Sequence, residues 1–443
     1  MADRLVVIGG DAAGMTAATN ARRGRPDLEI VVLEKGHHTS YSACGIPYVV
    51  SGAVADLDEL VVRTPQEFRD GFRIDVRTRH EVKAIDLDAR RIEVRALEQQ
   101  RTLHLGFDQL HIATGSRPLR PDLPGIDGPE IYGVQTLDDA EHLLAAIRDR
   151  PRRHVTVVGA GYIGLEMAEA FVRRGARVTL VDGGPLPMRT FDPDMGARIA
   201  AAVRRFGIEL RCSTAVEGFE PGAVHTSNGR LATDLVILAL GVAPNAGFAL
   251  DAGLDAGAGG AIAVDHRQRT SREGIYAAGD CADTRHQVSG QRVHIALGTI
   301  ANKTGRVAGI NLGGGYASFP GVLGTAVTRV CEIEIARTGL SQDQADAAGL
   351  EYEIGSVEAT TRAGYYPGAE PLHAKVLAEK GSGRLLGGQL VGADRAGKRI
   401  DTVAAAITAG MTASAFVDLD LAYAPAVSPL WDAFQLAARA TLR

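Results

Sequence analysis

In the segment SYSACGIPYVVSG a single thiol, Cys44, follows Ser40, Tyr41 and Ser42 and precedes Gly45, and no second cysteine follows at dithiol spacing. Such a thiol reacts as its thiolate, which attacks sulfur and other soft electrophiles and is covalently attached to them for part of a cycle. A helix beginning near Cys44 would aim backbone N–H groups at the sulfur and lower its pKa, so a thiolate is the expected resting form. Cys212, Cys281 and Cys331 have no comparable surroundings and read as packing residues.

The second kind of chemistry lies in two glycine turns. In HVTVVGAGYIGLEMAEAFVRRG the residues Gly159, Gly161 and Gly164 complete a GxGxxG between an apolar strand and a helix, and Asp182 closes the next strand, RVTLVD. The glycines allow a tight turn and close approach of backbone to a pyrophosphate, and the acid accepts the hydroxyls of an adenine ribose. Gly183 and Gly184 follow Asp182, with no arginine beside it to pair a ribose 2′-phosphate, so NADH is expected over NADPH. The earlier unit, LVVIGGDAAGMTAATNARR to IVVLEK, carries Gly9 and Gly14 with Glu34 at the strand end, but Asp11 holds the middle position. A carboxylate is electrostatically misplaced against a pyrophosphate, so Asp11 is expected either to point away from it or to bond the local turn.

Each unit reads as strand, turn, helix, strand, which places the turns at the carboxyl ends of parallel sheets. Further strand-like runs are QLHIATG, DLVILALG and GIYAAGD, and the loops RPLRPDLPG, GGPLPM and FPGVLG mark expected joints. Beyond residue 321 short strands and helices alternate without a third glycine turn, as in a separate α+β unit. A chain of 443 residues needs two or three such cores.

Composition excludes other classes. A net charge of −5 gives no basic face for nucleic acid, and no run of about 18 apolar residues suggests a membrane span. Four scattered cysteines make neither a disulfide framework nor a zinc site, so no metal is expected. With MADRLVVIGG entering a strand at once rather than a signal peptide, the expected compartment is the cytoplasm.

Two dinucleotide sites, IATG at 112–115 and TSREGIYAAGDCA at 270–282 together resemble the two-dinucleotide-binding flavoproteins. The Cys44 segment resembles the single-cysteine branch of the pyridine nucleotide-disulfide oxidoreductases, which holds coenzyme A disulfide reductases, NADH oxidases and persulfide reductases; Val49 stands where dithiol members carry the second cysteine. The resemblance spans essentially the whole chain. It implies an α/β fold with two Rossmann-like domains, for FAD (1–114 and 246–320) and NADH (115–245, NADPH as the alternative), and a C-terminal α+β dimerisation domain (321–443). A homodimer follows.

The same resemblance implies individual roles. Asp280 binds the FAD ribityl chain, and Lys35, Ala113, Thr114, Gly115, Tyr162, Ile163, Glu166, Gly241, Gly279 and Ala296 border the cofactors. Tyr365 in GYYPG and Tyr423 in AYAPAV match tyrosines that reach into the partner's active site, with Tyr366 a structural neighbour. Arg23 and Ser40 match residues that contact coenzyme A, and Arg63, with Arg22 and Arg69, could replace a phosphate-binding lysine whose place is taken by Phe72. Ala43 departs from the asparagine common before the cysteine. Peroxidases and water-forming oxidases carry a histidine in the first turn where this chain has Asp11, Ala12 and Ala13, which argues against peroxide chemistry. The chain is expected to lack the rhodanese extension of persulfide reductases and the terminal cysteine pair of mercuric reductases. The implied function is NAD(P)H-dependent reduction of a small disulfide, coenzyme A disulfide first. NADH oxidase and persulfide or polysulfide reductase are the near rivals; an electron-transfer reductase for a ferredoxin-like protein, or a nicotinamide-sensing binding protein, are rivals of other classes.

Overall fold

The structure, a computed structural model, describes residues 3–148 and 153–442. Strand Arg4–Ile8 is buried along nearly its whole length because helices cover one face of its sheet and the strands of residues 80–106, with residues 246–264, cover the other, and so its sequence is a continuous apolar run rather than an alternating one. It pairs in parallel with Glu29–Leu33 on one side and Gln109–Ile112 on the other. Asp75–Arg77 and Ile275–Ala277 complete five strands, the last arriving from far along the sequence. Helix Ala12–Gly24 lies against helix Gly298–Leu312 so closely that a side chain at Gly305 or Gly309 would overlap the backbone at Ala13 or Ala17.

The second unit repeats the plan. Strand His154–Val158 sits between Arg177–Val181 and Leu235–Leu238, with Glu209–Arg211 and Ile131–Tyr132 at the edges, all parallel. Chain passes from the first unit to the second through Ser116–Pro118 and returns through Val242–Pro244, and these two crossings pair antiparallel. Of the expected joints, the RPLRP loop begins at that crossing. GGPLPM does not act as a joint: Met188 is buried, its N–H bonds Ala160 O at 2.9 Å, and the loop folds over the second glycine turn.

The C-terminal unit is an antiparallel sheet in the order Ala326–Val330, Ile333–Gly339, Leu385–Gly392, Pro371–Glu379, Tyr352–Thr360. Helices Ile400–Thr408 and Ala433–Ala440 contribute Ile400, Val403 and Phe434 to a core shared with Leu372, Val376 and Leu390. This is the α+β unit expected. Two three-stranded antiparallel sheets, 80–106 and 216–232, went unread in the sequence. Among the described residues no helix is long and apolar enough to cross a membrane.

Candidate active site

The two turns are built alike. Gly9 and Gly159 have φ of 107° and 103°, and a Cβ on either would overlap a carbonyl oxygen, of Ala113 or of Ala239. Only glycine fits both demands. The acid at the end of each second strand grips its turn: Glu34 accepts N–H from Gly10 and Gly36, both at 2.7 Å, and Asp182 accepts from Ala160 and Gly184, both at 2.7 Å. Each carboxylate oxygen keeps a second lone pair for a ribose hydroxyl. Burial pushes the Glu34 carboxyl up in spite of those N–H groups.

Around the first turn lie most of the other residues expected to border a flavin dinucleotide. Asp280 follows strand Ile275–Ala277, accepts a bond from Ser116 at 3.2 Å, and is pushed up by burial. Thr114 Oγ1 donates to Asn245 O at 2.6 Å, Gly115 O accepts the Asn245 N–H at 2.9 Å, and Gly279 N donates to Thr304 at 3.1 Å. Ala296 is half-buried just before helix Gly298–Leu312. Lys35 is exposed and paired with Glu81 at 3.1 Å. The second turn opens into a cavity of about 670 Å³ lined by Gly159, Gly161, Tyr162, Asp182, Arg189 and Gly241 among others. A buried acid flanked by glycines suits an adenine ribose. Ile163 is partly exposed beside this cavity's Tyr162.

Cys44 lies between the two turns. Its loop is stitched to the first by Ser40 N to Gly10 O at 3.0 Å and Tyr41 N to Asp11 Oδ1 at 3.1 Å, and to residues 60–62 by Ser42 N to Leu60 O at 2.9 Å and Val62 N to Ser40 O at 2.8 Å. Asp11 therefore does bond the local turn, and burial raises its pKa to about 6. A single 3₁₀ turn, Ala43–Gly45, carries the thiol into helix Ile46–Ser51, whose Ile46, Val49 and Val50 join the core of the second unit. That helix packs on helix Tyr162–Arg173, and Arg174 donates to Val50 O at 2.9 Å. The sulfur is thus held by the first turn on one side and by the second unit on the other.

The expected thiolate is not what these surroundings favour. Cys44 is exposed to solvent, yet the protein packed around its sulfur pushes the thiol up, and the charges of Glu166, Asp11 and Asp280 push the same way against the lowering by its own backbone N–H. The following helix has only six residues, too little to offset three acids. Glu166 is itself raised by burial and accepts from Thr328 Oγ1 at 2.6 Å, so helix Tyr162–Arg173 links the second turn, the thiol and the C-terminal sheet.

Other expected residues fall into groups. Tyr365 and Tyr423 come together: the neighbouring Tyr365 phenol raises Tyr423, and both are exposed, at 78% and 45%. Arg23 is exposed, and Arg63 lies over the rings of Phe68 and Phe72 at 5.3 and 5.1 Å. Arg22 and Arg69 are not free for a phosphate. Arg22 donates to the carbonyls of Phe72, Pro26 and Arg73, and Arg69 to Val76 O at 2.6 Å. Cys281 and Cys331 are buried, and Cys212 is half-buried.

Sequence reasoning missed Arg189 and Thr328. Arg189 lies beyond GGPLPM, and the folding back of that loop brings its Nε to 3.8 Å from Asp182 Oδ1. The expectation that nothing basic stands near Asp182 is corrected accordingly. Proximity through the loop carried no signal in spacing.

Comparison with known proteins agrees with this geometry. Residues 3–305 match the pyridine nucleotide-disulphide oxidoreductase model and residues 325–433 its dimerisation domain. The chain is 38% identical over 440 residues to an NAD(P)H sulfur oxidoreductase (CoA-dependent) of Pyrococcus furiosus, covering 98% of each. It is 28% identical over 428 residues to a coenzyme A disulfide reductase of Staphylococcus epidermidis, covering 96% of this chain and 97% of that one. Among solved structures, an NAD-dependent persulfide reductase from A. fulgidus aligns with a TM-score of 0.95 and 37% identity, over 99% of this chain and 83% of that chain. The chain belongs to the pyridine nucleotide-disulfide oxidoreductases, enzymes that work with FAD and NAD(P)H.

Proposed function

We propose that this chain reduces a low-molecular-weight sulfur–sulfur bond with NAD(P)H, with coenzyme A disulfide the leading substrate. The observation that carries the reading is Cys44: an exposed thiol with no partner cysteine, on a loop tied to both dinucleotide units. Glu34, Asp280 and the first turn would hold FAD; Asp182 and the second turn would hold the nicotinamide coenzyme. When bound, the flavin relays two electrons from the nicotinamide to sulfur.

The thiolate of Cys44 attacks one sulfur of the disulfide, the S–S bond breaks, and one thiolate leaves and takes a proton. The remaining half stays on Cys44 as a mixed disulfide. Two electrons and a proton from NAD(P)H, with one further proton, return Cys44 to a thiol and release the second product thiol. Because burial of its sulfur, and after that the neighbouring acids, hold the Cys44 thiol up, attack is promoted by removing its proton rather than by a standing thiolate. In a homodimer, Tyr365 and Tyr423 would serve the opposite subunit's cysteine, where a phenol can hydrogen-bond the sulfur or protonate the departing thiol.

A second reading, reduction of coenzyme A persulfide or polysulfide, is favoured by the similarity to an NAD(P)H coenzyme A polysulfide/persulfide reductase of Pyrococcus horikoshii, 38% identical over 448 residues and covering 99% of this chain and 98% of that one. The test measures NADH consumption with coenzyme A disulfide, polysulfide and oxygen in the same FAD-loaded protein, beside Cys44→Ser. Fastest turnover on coenzyme A disulfide, lost in Cys44→Ser, supports the proposal. Faster turnover on polysulfide transfers it to the second reading, and equal rates with oxygen in both proteins reject a sulfur substrate. The cross-dimer role is read from heterodimers of Cys44→Ser with Tyr423→Phe. They should recover about half of wild-type activity, because one site is then intact; recovery no greater than the parent variants places the tyrosine elsewhere.

A further inference from the structure

Two imidazoles and two carboxylates meet at the seam between the dinucleotide units. His37 and His38 follow strand Glu29–Leu33 in a loop anchored by the Gly36 N–H on Glu34 at 2.7 Å. Asp138 and Glu141 lie three residues apart near the start of helix Leu137–Arg148, and so project from one face. That helix belongs to the second unit, since Leu137, Ala140 and Leu143 are in its core.

His38 Nε2 is 3.0 Å from Glu141 Oε1 and 4.0 Å from Asp138 Oδ1, and all three donor atoms lie within 4.8 Å of one another. His37 Nδ1 approaches Asp138 Oδ1 at 3.2 Å. Hydrogen bonding alone accounts for one acid per imidazole. It does not account for His38 facing both acids, with the second too far for a bond. Metal–ligand distances of about 2.0–2.2 Å put donors around one ion about 3–4 Å apart, so a side-chain shift of about 1 Å closes the three on a single ion. His37 is placed to become a fourth ligand or to orient Asp138.

We propose that His38, Asp138 and Glu141, assisted by His37, form a divalent transition-metal site that ties the FAD unit to the nicotinamide unit. Mixed imidazole and carboxylate donors select zinc, cobalt or nickel over magnesium or calcium, which take oxygen ligands. The two carboxylates neutralise the dication. The ion crosslinks a loop and a helix about a hundred residues apart in the chain, so it raises stability and holds the two units at one angle without touching the sulfur chemistry.

The test uses FAD-loaded protein carrying Cys44→Ser, so that the exposed thiol cannot bind metal. It is equilibrated with Zn²⁺ and dialysed, and its zinc-to-flavin ratio and its melting temperature with and without zinc are measured. One zinc per chain is expected, with a higher melting temperature. His38→Ala and Glu141→Gln should each weaken zinc binding at least about tenfold and abolish the thermal shift while flavin content stays unchanged. Glu141 is half exposed, so its variant decides the matter if His38→Ala loses flavin. Absence of retained zinc, or equal retention by the variants, overturns the proposal.

Discussion

The two glycine turns share their backbone plan and differ in what closes over them. At the first, the middle position is Asp11, whose carboxylate is spent on the Tyr41 N–H, so the Cys44 loop lies across the turn. At the second, the middle position is Gly161, where a Cβ would have open space, and the turn faces a cavity of about 670 Å³. The comparison teaches that one motif serves two demands. A turn crossed by a loop of its own chain suits a cofactor that stays, and one that faces a cavity suits a coenzyme that must leave after each cycle.

The largest effects should come from the glycines that both turns require. Gly9→Ala forces a Cβ into Ala113 O at a φ that alanine avoids, at a cost of about 3 kcal/mol or more, and flavin content and solubility should collapse. Gly159→Ala meets the same obstacle at Ala239 O, but the purified protein should stay yellow and lose nicotinamide binding. Equal loss of flavin in both variants would erase the distinction between the turn crossed by its own chain and the turn that faces a cavity.

Next in size is coenzyme choice, which only the open turn can express. Asp182 repels a 2′-phosphate, whereas Arg189, 3.8 Å away and mostly exposed, can reach one. NADH should be preferred by roughly tenfold to a hundredfold in kcat/KM. Asp182→Ala should bring NADPH level with it or ahead, and adding Arg189→Ala should remove that gain. An Arg189→Ala variant that leaves NADPH use unchanged would exclude the arginine from coenzyme selection.

A smaller effect separates the middle positions. Asp11 titrates at about 6 in the folded protein, above its ordinary 3.8, because burial disfavours the charge. A raised folded pKa means stability that is present below about 3.8 and lost as pH rises through about 6. Asp11→Asn keeps an acceptor for Tyr41 N–H, so it should stabilise FAD-free protein above pH 6 by up to about 3 kcal/mol, read as a higher melting temperature, and change little below pH 4. An unaltered difference across that range would show that Asp11 carries no strain.

What could be read in the sequence was whatever is local in the chain. Gly159 to Gly164, Asp182, Glu34 and Cys44 are fixed by spacing within single strand–turn–helix units, and these units fold as read. The Arg189–Asp182 approach depends on how GGPLPM folds back, and the Glu166–Thr328 bond joins elements 162 residues apart. The thiol was misjudged for the same reason. The short helix beside Cys44 is a local feature, but the packing that buries its sulfur and, after it, the acids Glu166, Asp11 and Asp280 hold its pKa up, and these come from distant segments. Arg22 and Arg69 offered charge in the sequence, and backbone carbonyls brought near by the fold had already taken it.

The division of labour between the turns and the thiol is tested most directly by rapid mixing of FAD-loaded Cys44→Ser with NADH and then with coenzyme A disulfide, following flavin absorbance. NADH should bleach the flavin at close to the wild-type rate, because both dinucleotide sites are intact, and the disulfide should then fail to restore the colour. Restoration at the wild-type rate would contradict the account, because electrons would be reaching the disulfide without Cys44.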